Sequence, residues 1–125
     1  MARLFIVVVG LLYVVLGVWC AVAPTKTSKY VGFQLAPGGG QSEFFTVYGG
    51  LELGLGLAFL IPLFRTETTG TMLLVSLLLH ASLVLFRSLS FMLYTDIPSS
   101  TYGLAVVEWI LLLGSLGFWW TLPKE

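Results

Sequence analysis

Hydrophobic positions in this chain fall into four long runs, and the polar positions collect between them. Runs that are apolar nearly all round carry little helical periodicity, so their length and their breaks decide the assignment. They predict membrane helices over residues 4–23, 44–64, 70–90 and 102–122, each close to the roughly 17–25 residues that cross about 30 Å of hydrocarbon. The first break, PTKTSKYVGFQLAPGGGQSE, mixes charge, proline and four glycines. It reads as a long loop that lays Tyr30, Val31, Phe33 and Leu35 on the membrane surface and returns through a pliable Gly38 to Gly40. RTETT at 65–69 is a tight hairpin connection, and the third break, near 91–101, carries Phe91 and Tyr94 at positions suited to the interface.

The pattern therefore predicts an all-α fold, one integral membrane bundle of four transmembrane helices over residues 1–125. Composition agrees, with 58% hydrophobic and 10% charged residues against the roughly 25% charged of soluble domains. A soluble four-helix bundle would need a hydrophilic stripe on each helix, and GTMLLVSLLLHASLVLF holds only isolated polar residues. Arg3 before an apolar run ending in AVA also invites a signal-peptide reading, but the run is longer than the usual 7–15 residues and Pro24 follows the cleavage point, which favours a retained helix. Trp19 stands where lipid-anchor processing at Cys20 would want a small residue.

Six basic and six acidic residues leave no net charge, and the basic ones are scattered singly, so nucleic acid is a poor partner. A single cysteine excludes an internal disulfide and a multi-cysteine metal site. Four spans put both termini on one side. With that side cytoplasmic, Arg3, Arg65 and Lys124 face inward while Lys26 and Lys29 face out.

Four ionisable residues lie inside the runs. Counted from the first-loop face, Glu52 is about 12 Å deep, Glu108 about 9 Å, and Arg87 close to that face, at the helical rise of 1.5 Å per residue. His80 is seven residues deeper than Arg87 on nearly the same helical side. All four occupy one half of the membrane, where an isolated charge costs about 2.5–3.5 kcal/mol. Arg87 is expected to pair with one carboxylate or to snorkel to the headgroups; the second carboxylate is protonated or shares a proton with His80. Tyr13 and Tyr48 are the neutral hydrogen-bond partners expected for Glu52. Together Glu52, His80, Arg87, Glu108, Tyr13 and Tyr48 form the candidate ligand-binding set, with Glu52, His80 and Glu108 as candidate proton-transfer groups. The same cluster also serves as a purely structural network that satisfies buried polar groups.

Glycines explain how Glu52 is accommodated. Gly50 and Gly54 share one helical edge in a GxxxG spacing, Gly49, Glu52 and Gly56 another, and Gly10 and Gly17 give span one a flat strip. The spacing serves tight packing within the bundle, or a homodimer through Gly50 and Gly54. Ser76 sits four residues before His80 and can orient its ring, while its own hydroxyl ordinarily bonds the carbonyl one turn back; no triad or elbow motif makes it a nucleophile. No HxxxH or ExxH spacing supports a metal site at His80, Glu52 and Glu108, and no cofactor is expected. Trp119 and Trp120 read as interfacial anchors, and Trp109 lines a cavity or faces lipid.

GLLYVVLGVW in span one, YGGLELGLGLAF in span two and VVEWILLLG in span four together resemble a family of small bacterial four-span membrane proteins of unknown function, distantly similar to the DoxX-like group. The resemblance covers nearly the whole chain and rests mainly on Tyr48, Gly49, Gly50, Glu52, Gly54 and Gly56. It implies a four-helix membrane fold and a bacterial inner-membrane location. DoxX-like proteins include components associated with quinone-linked oxidation, but no cysteine pair or haem-type signature here carries redox chemistry. Three functions follow as expectations. They are binding or moving a lipid-like or quinone-like molecule among the membrane lipids, an enzyme using Glu/His proton transfer on an apolar substrate, and an accessory subunit that docks a membrane-complex partner.

Overall fold

The computed structural model describes residues 1–122 and consists of helices joined by short turns. Four of them are long and apolar enough to cross a membrane, Ala2–Val22, Gly39–Leu63, Thr66–Leu93 and Ser99–Thr121. They are spans one to four. The all-α four-span architecture read from the sequence is therefore the architecture observed. Lys124, assigned above to the terminal side, lies outside the described residues.

Span ends differ from expectation mainly around the first loop. Pro24 opens a separate short helix, Pro24–Tyr30, because its ring suits a first helical turn and its missing N–H is not needed there. Gly38, at φ 74°, is the turn residue that proline or a β-branched side chain could not supply. Gly39 and Gly40 are already helical, so span two begins five residues earlier than the hydrophobic run and the pliable glycine return shrinks to one residue.

Span two is not uniform. Residues Phe45–Leu51, FTVYGGL, form a π-helix between two α-helical stretches. Extended π segments are rare and recur at functional sites. This one ends directly before Glu52.

Spans one and two pack closely, as do spans three and four, so the bundle is two hairpins side by side. The first hairpin owes its closeness to interlocked glycines. A Cβ at Gly17 would meet the Leu53 backbone N at 2.6 Å and the Gly49 carbonyl O at 2.9 Å, and one at Gly56 would meet the Val14 backbone N at 2.6 Å. Gly10, Gly17, Gly49 and Gly56 thus form the contact strip, whereas an added Cβ at Gly50 or Gly54 meets nothing within 4 Å.

The apolar core lies in the terminal half, where Ile6, Val9, Phe59 and Leu73 are fully buried and Leu111 joins them. The chain's outer surface carries large exposed hydrophobics along every span, as a lipid-facing surface requires. At the terminal end Arg3 Nη2 donates to the Leu63 carbonyl at 2.8 Å. At the loop end Ser100 Oγ donates to the Tyr30 carbonyl at 2.7 Å, tying the start of span four to the short helix.

Candidate functional site

Above the apolar core, polar side chains from spans one, three and four meet near the middle of the bundle. His80 is fully buried at the centre. Its Nδ1 lies 2.7 Å from the Ser76 carbonyl, which only accepts, so Nδ1 carries the proton in the neutral ring. Nε2 is then the acceptor, and the Tyr13 hydroxyl donates to it at 3.2 Å across the gap between the two hairpins. Ser76 Oγ lies 2.8 Å from Ser115 Oγ on span four and 3.2 Å from His80 Nδ1. Phe59 stands edge-on to Tyr13, with ring centroids 5.7 Å apart, and closes the network from span two.

Nearer the first loop, Arg87 and Glu108 form a two-point ion pair. Nε donates to Oε2 at 3.0 Å and Nη2 to Oε1 at 2.6 Å. The geometry matches a planar guanidinium to a planar carboxylate, the strongest arrangement available to an intramembrane charge pair. Of the two expectations for Arg87, pairing is the one observed.

Glu52 is the exception. Its Oε2 is enclosed and has no hydrogen-bond partner among the described residues. The partners expected from the sequence are engaged elsewhere. Tyr13 gives its hydroxyl to His80 because span one presents that face to span three. Tyr48 stacks on Phe44, centroids 4.6 Å apart and 14° from parallel, with Phe33 edge-on at 5.6 Å. His80 shares no proton with a carboxylate, since both its nitrogens face Ser76 and Tyr13. Ser76, expected to bond its own helix, reaches Ser115 instead.

Among the described residues the six candidates form no single bonded cluster: Tyr13 bonds His80, Arg87 pairs with Glu108, and Glu52 and Tyr48 join neither pair. Tyr13 lies within electrostatic reach of Glu52 and Glu108, Tyr48 of Glu52 and Arg87, and His80 of Glu108. Ser115 and the π segment are the contributors that sequence reasoning missed. Ser115 had a legible signal, lying seven residues from Glu108 and hence on nearly the same helical side. Among the described residues no three His, Cys, Asp or Glu side chains are grouped to hold a metal ion. Trp109 is 47% exposed and faces outward, where lipid lies.

Two cavities open at the loop end. One, about 180 Å³, is an apolar groove along the start of span two, walled by Phe33, Leu35, Phe44, Val47 and Tyr48, with Glu43 on its edge. The other, about 240 Å³, lies under the first loop beside the short helix. Neither is lined by Glu52 or His80, and Tyr48 is the candidate residue that reaches the groove.

No curated protein and no solved structure matches the chain. A family model described as a domain of unknown function, DUF4345, matches residues 1–121. With almost the full length covered, this four-span chain belongs to the DUF4345 family.

Proposed function

We propose that the protein binds, or passes along, a lipid-like or quinone-like molecule whose polar group meets Glu52. The observation that carries this reading is the enclosed, unpartnered Oε2 of Glu52 beside a network in which Arg87, Glu108, His80, Tyr13, Ser76 and Ser115 all have partners. A buried polar atom without a bond costs about 1–3 kcal/mol, so a site that keeps one is suited to receive a polar group from elsewhere. A carboxyl there fits a quinone and its quinol alike. As the acid it donates to a carbonyl, and as the carboxylate it accepts from a hydroxyl. The resemblance to the DoxX-like group supports the quinone class, and Tyr48, four residues before Glu52, lines the apolar groove at the loop end. A bacterial inner membrane with both termini cytoplasmic is the accompanying assignment, supported by the faint excess of Arg3, Arg65 and Lys124 over Lys26 and Lys29.

The test is native mass spectrometry of protein in mild detergent, offered a short-chain benzoquinone and, separately, its quinol. Wild type should retain one or both, and Glu52→Gln should fold normally and lose that retention. Equal retention by the two proteins would remove Glu52 from the ligand site.

A further inference from the structure

The cavity under the first loop differs in chemistry from the Glu52 layer. Thr25, Ser28 and Lys29 of the short helix form one wall, and Gln34 and Gln41 contribute from the other side. Lys29 is the charged residue on this wall, and it makes no ion pair with a described carboxylate. Ser28 is 1% exposed, so the cavity ends on a buried polar floor. A cation, two amides and the Thr25 hydroxyl, without an acidic side chain, complement a phosphate, while Ser28 Oγ donates to the Thr25 carbonyl at 3.3 Å. Glu43, the acidic residue nearby in sequence, lines the neighbouring groove instead.

Two further observations choose the source of that phosphate. Tyr30, which ends the short helix, packs against Trp19 with ring centroids 5.7 Å apart, and a Trp and Tyr pair at the end of a span marks headgroup level. Phe33 and Leu35 line both the cavity and the apolar groove, so the cavity continues into an apolar surface. A soluble anion would make no use of that continuation. An acyl chain would.

We propose that this cavity seats the phosphate headgroup of an anionic membrane lipid, with Lys29 as its counter-charge and a chain leaving past Phe33 and Leu35. The site stands apart from Glu52 and does not rest on the ligand assigned there.

Native mass spectrometry of the full chain, equilibrated with equal amounts of phosphatidylglycerol and phosphatidylcholine, tests it. Wild type should retain phosphatidylglycerol preferentially. Lys29→Gln should cut that retention about fivefold, the effect of one lysine beside an anionic leaflet, while Lys26→Gln, three residues earlier and off the cavity wall, should change it less than about twofold. Lys29→Arg should keep the preference and Glu52→Gln should leave it untouched, with circular dichroism confirming the helix content of every variant. Equal losses for Lys26→Gln and Lys29→Gln would reduce the effect to general surface charge and overturn the site. Absence of preference in wild type, or displacement of the lipid by millimolar inorganic phosphate, would overturn it as well.

Discussion

Replacing each intramembrane carboxylate by its amide should separate two glutamates that look alike in the sequence. Glu108 accepts bonds of 3.0 and 2.6 Å from Arg87, and the two side chains are 13% and 28% exposed. Glu108→Gln keeps the shape but leaves the guanidinium without its counter-charge, and breaking a fully buried pair from one side costs about 3–5 kcal/mol. Arg87 is the more exposed partner and its long side chain can swing toward the headgroups, which lowers the expected loss to about 2–3 kcal/mol. Glu52→Gln removes no bond to Oε2, so its effect on stability should stay under about 1 kcal/mol. Arg87→Gln combined with Glu108→Gln should recover much of the single loss, because no charge is then stranded. Thermal unfolding in one mild detergent, followed by tryptophan fluorescence, reads the wild type and all three variants. A Glu52→Gln protein that unfolds as early as Glu108→Gln would refute the pairing, as would a double variant no more stable than the single.

Further substitutions test the rest of the bundle. Gly17→Ala and Gly56→Ala place a Cβ 2.6 Å from backbone nitrogen and should cost about 1–3 kcal/mol each by forcing the first two spans apart, measured by the same unfolding assay. Gly50→Ala and Gly54→Ala, where a Cβ meets nothing within 4 Å, should be neutral or stabilising. Tyr13→Phe should cost about 0.6–1.7 kcal/mol, the range for interhelical hydrogen bonds in membranes, and should shift the Nε2 resonance of the sole histidine in a 15N-histidine NMR spectrum. Cys20, free and 4% exposed, should resist a thiol reagent in the folded protein and react once the bundle is unfolded.

The span count was legible because lipid removes the ambiguity of amphipathic patterns. Uninterrupted apolar length is enough, and GTMLLVSLLLHASLVLF has no other use for its composition. That Arg87 and a carboxylate share one layer was legible too, since a helix converts residue number into distance. Which carboxylate pairs, and what Tyr13 bonds, was not. Depth fixes a layer, but which face of span one meets which span depends on glycine contacts such as Gly17 on Leu53, and those turned Tyr13 toward His80. The π segment left no readable mark either, since FTVYGGL differs from an ordinary glycine-containing helix only in its hydrogen-bond register. The start of span two was missed because GGGQSE is polar and mostly exposed; a helix-end bond, the Gly38 N–H donating to Gln41 Oε1 at 3.2 Å, starts the helix at Gly39.

The arrangement as two hairpins has a consequence for biogenesis. Spans one and two emerge from synthesis first, and their glycine strip lets them close on each other before the rest of the chain exists. Tyr13 then has no histidine to receive its proton, and Glu52 lies on a surface still open to lipid. Only when spans three and four dock does Tyr13 find His80 and does the polar layer become interior. The nascent first hairpin is therefore the stage at which a membrane chaperone or protease would have a polar feature to grip, and the Tyr13 to His80 bond is the chemical record that assembly has been completed.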